Sequence, residues 1–278
     1  MSDRTSHEAH AKAAAPLTLV YHTEFTTEPG EVRAGEPATL RFSVRDEHGR
    51  AVKDLQIVHE QAMHLLVVSD DLDEFEHLHL ERQPDGSYQT SHTFPQGGGY
   101  LLFADYTPPH GAQTVDRHTL SVAGEPRERL ALSADAEQSK TVDGLRFKMQ
   151  ADDELRAGRG VMLNFTVTDA RTGEPVTDLQ PYLGAMAHFV IISEDTTEFL
   201  HVHPMEKEAH GSGGTGGHAH HGPAHQAHEG ESSEARSNEV AAHTVFPRAV
   251  LYKLWAQFQR GGRVITVPFV LSVAEAVS

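Results

Sequence analysis

Two sets of three histidines stand out in this chain. His64, His77 and His79 occupy the first half, with His77 and His79 lying 13 and 15 positions after His64. His188, His201 and His203 repeat the same 13 and 15 in the second half. In each set one histidine begins an apolar run and a His-x-His pair follows. Neutral imidazole is a ligand for copper, zinc and nickel, at metal–nitrogen distances of about 2.0–2.1 Å. Residues two apart on a strand project to the same face, with Cβ atoms about 7 Å apart. The pair needs only a third imidazole from a neighbouring strand to surround one ion.

Two arrangements bring the three rings together. If the two segments form a hairpin, His64 shares a face with the pair only when it lies opposite His77 or His79 and not Leu78, because a one-residue slip reverses the face. If the segments lie in opposite sheets, the rings meet at the end of the sandwich interior. A lone strand histidine is ordinarily a surface residue or a hydrogen-bonded core group. Here Leu78 is replaced by Val202 and Glu76 by Leu200, yet all three histidines persist. The expected metal is copper, highest in the order of divalent affinities, with zinc the alternative. Met63 and Met186 stand one and two residues before their histidines, so they project to opposite faces and are read as core residues.

Further histidines surround these sets. His79 precedes Phe94 by 15 positions whereas His203 precedes Phe246 by 43, so the second copy carries 28 extra residues, roughly 207–238. That insertion holds His210, His218, His220, His221, His225 and His228 among Gly, Ser and Glu, a composition that cannot bury a core. It is read as a disordered loop that raises the local ion concentration beside His188, His201 and His203, an auxiliary role. His7 and His10 are expected to do likewise, and His243 lies just past the insertion. His110 and His118 are available as a fourth ligand to the first set, though surface placement is the expectation.

The elements that must position these rings come from a duplication. The segments beginning at Ala34 and Ala157, at His64 and His188, and at Phe94 and Phe246 match in the same order, with Asp54-Leu55-Gln56 and Asp178-Leu179-Gln180 in register. Each copy reads as about seven short alternating or apolar strands broken by Gly, Pro, Asp and Asn, the first expected at Leu17–Thr23. The fold class is therefore all-β, two tandem immunoglobulin-like β-sandwich domains. The divisions are a tail at 1–15, a first domain at 16–123, a linker at 124–141 and a second domain at 142–275. Gly97-Gly98-Gly99 is read as a turn, and the carboxylates Asp70, Asp71, Asp73 and Glu74 as solvated turn residues.

Composition narrows the function. There is no cysteine, which excludes disulfides, thiolate zinc sites, iron–sulfur clusters and cysteine-ligated copper. A net charge of −17 argues against nucleic acid or an anionic membrane surface as partner and favours cations. No His-Glu-x-x-His helix, phosphate-binding glycine loop, nucleophile elbow or dinucleotide fingerprint is present, so no enzyme is expected. A copper oxidoreductase of the superoxide-dismutase kind is disfavoured because no second metal cluster adjoins the first. A structural or adhesive tandem without metal is the remaining alternative. No run approaches the ~20 apolar residues of a membrane span, and Lys12 and Pro16 interrupt any leader-like core.

The pattern Met/Ala-x-His, apolar strand, Ser-Asp/Glu-Asp, Glu-Phe-x-His-x-His, then Phe-Pro and a tyrosine-bearing strand resembles the YtkA-like family of bacterial envelope β-sandwich domains. The resemblance covers the core of both copies, roughly 16–123 and 142–274. It implies an immunoglobulin-like fold, copper handling without catalysis, and a periplasmic or extracytoplasmic setting. It further implies His64, His77, His79, His188, His201 and His203 as ligands. A membrane metal transporter or a metalloprotein client is the expected partner.

Overall fold

The computed structural model describes residues 20–109, 111–129, 131–202, 204 and 238–276. The expected tail, residues 205–237 and His203 lie outside them. By its internal contacts the chain divides into two compact units, Met1–Val67 with Glu76–Arg127 and Val68–Phe75 with Glu128–Ser278. The described residues are all-β, and the fold is a tandem of two β-sandwiches. No helix among them is long and apolar enough to cross a membrane.

The first copy contains β1 (Tyr21–Glu28), β2 (Val32–Arg33), β3 (Pro37–Asp46), β4 (Met63–Ser69), β5 (Phe75–His79), β6 (Glu81–Arg82), β7 (Tyr88–Thr93), β8 (Gly98–Tyr106) and β9 (Thr114–Ala123). One sheet runs β1-β3-β7-β6 and the other β2-β9-β8-β4-β5. Along β3 the alternation turns Ala38, Leu40, Phe42 and Val44 inward. From the facing sheet Leu65 and Val67 of β4 and Tyr100, Leu102 and Ala104 of β8 complete the core. All seven residues of β4 are buried, as befits an inner strand with covered faces.

The second copy contains β10 (Ser139–Val142), β11 (Leu145–Ala151), β12 (Gly160–Asp169), β13 (Leu179–Gln180), β14 (His188–Ser193), β15 (Phe199–Val202), β16 (Glu239–Val245), β17 (Leu251–Arg260) and β18 (Arg263–Ser272). Its sheets are β10-β11-β12-β16 and β13-β17-β14-β15, with β18 also on β17. Phe165 lies at its centre, stacked on Phe189 at 4.6 Å between ring centroids and edge-on to Phe258 and Phe269 at 6.0 Å. Phe165→Ala is expected to cost this unit about 3–5 kcal/mol through lost transfer energy and the cavity left behind. A denaturant titration followed by the fluorescence of Trp255, the one tryptophan in the chain, measures it.

Four details depart from the sequence reading. The first strand is Tyr21–Glu28 and not Leu17–Thr23, of which residues 17–19 lie outside the described set. Ladder pairing with β3, from Tyr21↔Asp46 to Glu28↔Thr39, fixes its position, so the polar Thr and Glu of this edge strand outweigh the earlier apolar run. Gly98 and Gly99 open β8 and do not form a turn. The glycines admit close backbone approach: a Cβ on Gly97 would meet the Gly124 oxygen at 2.5 Å, and Gly98 takes φ 133°. The four short strands β2, β6, β10 and β13 escape a reading by period, since two to four residues display too little alternation. Two segments within residues 124–141, read as linker, are tied down: Pro126 bridges Gly97, and β10 begins at Ser139.

Candidate metal centre

Alternation along β4 and β5 decides where the histidines point. Met63, Leu65 and Val67 enter the core, so His64 lies on the opposite face of the sheet, although only 4% exposed. Leu78 packs against the same core, which places His77 and His79 on the face that His64 occupies. β4 and β5 are neighbours in one sheet. The hairpin arrangement therefore holds, and the rings do not meet inside the sandwich. Ring centroids are 5.2 Å apart for His64 and His77, 5.3 Å for His77 and His79, and 6.0 Å for His64 and His79. One nitrogen from each ring lies within 4.8 Å of the other two, close enough to hold a metal ion.

The protonation of His64 is set by the backbone. Its Nε2 donates to the Val58 carbonyl at 3.1 Å. A carbonyl only accepts, so in the neutral ring the lone pair is on Nδ1, which lies 3.0 Å from His77 Nε2. Two nitrogens bound to one tetrahedral ion stand about 3.3 Å apart at the usual bond lengths. The pair is thus within a few tenths of an ångström of ligand spacing. An outer hydrogen bond that fixes tautomer and ring orientation is the usual companion of a histidine ligand. Burial pushes the His79 pKa below its ordinary value, favouring the neutral ring that binds metal.

The second copy repeats this support. His188, fully buried, donates from Nε2 to the Tyr182 carbonyl at 2.8 Å. The pairing Val190↔His201 puts His201 on the face of Val190 and hence of His188, with centroids 5.8 Å apart. Each accepting carbonyl belongs to a tight two-residue turn. Val58 and Gln61 exchange both backbone bonds around His59 and Glu60, at φ 49° and 66°. Tyr182 and Ala185 do the same around Leu183 and Gly184, at φ 52° and 75°. Positive φ at both central residues marks a primed turn, and a non-glycine there costs about 1–3 kcal/mol. The sequence reading missed both turns, because His-Glu and Leu-Gly lack the usual Asn-Gly signal.

The carboxylate-rich loop between the two site strands is structural. Ser69 Oγ donates to Asp71 Oδ1 at 2.6 Å and accepts from the amides of Asp73 and Glu74 at 3.1 and 2.9 Å. Ser193 Oγ likewise donates to Asp195 at 2.7 Å and accepts from Glu198 N at 2.9 Å. Arg248 forks onto both oxygens of Asp195 at 2.8 Å and, with Ser193, holds that carboxyl well below the usual carboxylate range. In both loops the same serine thereby closes the turn just before the next strand.

Other expected residues fall elsewhere. Met63 and Met186 both pack on the cores, which leaves imidazoles without thioethers at the site. His118 is neither at the surface nor beside the first set. Register Leu102↔His118 turns it to the core face, half-buried against Phe25 and Phe42, where Thr23 Oγ1 contacts its Nε2 at 2.7 Å. His243 is exposed on β16 of the other sheet. His7, His10, His110, His203, His210, His218, His220, His221, His225 and His228 lie outside the described residues.

A family model for a domain of unknown function (DUF8832) matches the chain twice, over residues 18–124 and 140–275. No curated protein matches. Among solved structures the chain is similar to a Ca2+-stabilized adhesin with which an Antarctic bacterium binds ice, at 7% identity and TM-score 0.24 over 95% of this chain and 50% of that one. It is similar to domains 5-6 of the S-layer protein SbsC at 12% identity and TM-score 0.23, over 94% and 100%. Trypsin-activated alpha-2-macroglobulin from Escherichia coli gives 12% and 0.26, over 91% and 15%. The chain spans half the length of the ice-binding adhesin, and likenesses this loose carry no weight for function.

Proposed function

Because the chain belongs to the DUF8832 family through both of its copies, we propose one function for each copy: to bind a transition-metal ion through three imidazoles without catalysis. The observation that carries this reading is the pinned first histidine. His64 and His188 each donate Nε2 to a carbonyl six residues upstream. That leaves Nδ1 of His64 3.0 Å from His77 Nε2, while the His188 ring lies beside that of His201. Duplicated chains drift where nothing constrains them, yet this device and the ligand spacing recur together. His64, His77 and His79 would hold one ion, and His188, His201 and His203 the other.

Copper is the ion of choice and zinc the alternative, since neutral imidazoles suit both and Cu(II) stands higher in affinity. The resemblance to the YtkA-like family supports copper handling, an extracytoplasmic setting, and exchange with a membrane transporter or a metalloprotein client. Sequestration or delivery is proposed over turnover, as the same resemblance implies. Loading purified protein with Cu(II) or Zn(II), desalting it and measuring retained metal by mass spectrometry should give about two ions per chain. Retention of none would leave a structural tandem.

The histidine-rich insertion is assigned a supporting part: it gathers ions weakly and hands them to the second centre. Deleting residues 207–238 is expected to remove most weakly held ions in a calorimetric titration while about two tight ones remain. Loss of a tight ion on deletion would make the insertion part of the centre itself.

A further inference from the structure

The two copies place different groups beside their first histidine. In the second copy antiparallel pairing of β14 with β17 sets His188 opposite Gln257. Residues so paired share a face, with Cβ atoms about 4.5–5.5 Å apart. The match of residues 94–106 with 246–258 makes Asp105 the counterpart of Gln257. The frame of the sheets agrees: Thr107, two residues past Asp105, bridges Gln56, as Gln259, two past Gln257, pairs with Gln180. β8 adjoins β4 as β17 adjoins β14. Tyr100, Leu102, Ala104 and Tyr106 enter the core, so Asp105 lies on the face of His64.

Asp105 is only 3% exposed, and Gln113 Nε2 donates to both of its oxygens at 2.8 Å. Gln257 is equally buried but neutral, and donates to Thr266 Oγ1 at 3.2 Å. A divalent ion among three neutral imidazoles keeps its full charge of two in a partly buried place, which is costly. A carboxylate beside the rings halves that net charge.

We propose that Asp105 makes the first centre selective for divalent over monovalent ions, acting through its charge as a positioning residue and not as a ligand. This rests on the metal-binding reading of the same centre. The attraction scales with ion charge, so the carboxylate strengthens a divalent ion by twice the free energy it gives a monovalent one. The first centre therefore takes up a divalent ion ahead of a site bearing an amide at this position.

The test uses the full chain carrying His201→Ala, which disables the second centre. Affinities for Zn(II) and for Ag(I) are measured by competition with chelators. Asp105→Asn is expected to weaken Zn(II) about 10–100-fold, the usual range for an outer-shell partner. Ag(I) should weaken only about 3–10-fold, the square root of that factor. Asp105→Glu should recover most of the Zn(II) affinity. Equal losses for the two ions would mark a purely structural role and overturn the proposal, as would unchanged Zn(II) binding by Asp105→Asn. The metal reading fails separately. In that case the His201→Ala chain with Asp105 intact would retain no Zn(II) that a further His77→Ala/His79→Ala change removes, and both ideas fall.

Discussion

Replacing His77 and His79 by alanine together is expected to lower the tightly retained metal from about two ions per chain to about one. The two rings supply two of the three nitrogens that lie within 4.8 Å of one another. Losing both leaves His64 alone, and a single imidazole does not retain an ion through desalting. The loss should exceed the 10–100-fold typical of removing an outer-shell partner. The fold should survive, because Leu78 and not the histidines packs against the core. Circular dichroism and a melting curve check that. The companion change His118→Ala should leave the stoichiometry at about two, since that ring sits on the core side of the sheet. Equal loss in both variants would show that metal is held somewhere else.

Metal affinity should fall steeply below pH ~6.5, the ordinary histidine value, because each ligand must be neutral to bind. With three imidazoles per ion, the affinity drops by up to about three decades per pH unit once all three compete with protons. Burial lowers the His79 pKa, so that ring joins the competition at lower pH than an exposed one. The metal-free protein follows the same sign. His79 and His118 both have folded pKa values lowered by burial, the latter partly offset by Asp116. The unfolded chain therefore binds more protons near pH 6, and stability rises with pH there. Their contribution is fully present above ~6.5 and is lost as pH falls from there through the folded values. Melting curves of apo protein between pH 7 and 5, beside chelator competition over the same range, measure both effects. A flat affinity across that range would exclude imidazole ligation.

Much of this architecture is legible in the chain because its causes are local. The alternation of Ala38, Leu40, Phe42 and Val44 already names an inward face, and the structure buries those four residues. The histidine spacing, 13 and 15 in both halves, follows from two strands of fixed length joined by a Ser-Asp-anchored loop. Met63 and Met186 are assigned to the core on the habit of methionine to fill gaps, since parity alone puts them on opposite faces. Where reading by period failed, the determinant was a partner strand or a turn. The first strand is placed by its ladder with β3, and Gly97 by close approach to the backbone at Gly124.

From the chain alone follow the two copies, their all-β character, and the histidines that share a strand face. Tertiary structure alone decided which strands adjoin, and so that the three rings of the first copy gather on the sheet face turned from the core. It also supplied the Val58 and Tyr182 carbonyls, turned His118 to the other side, and put Asp105 on the neighbouring strand, on the sheet face of His64. The physical reason is the two-residue period of a strand: it sorts side chains between two faces, but only pairing across the sheet settles what lies beside each of them.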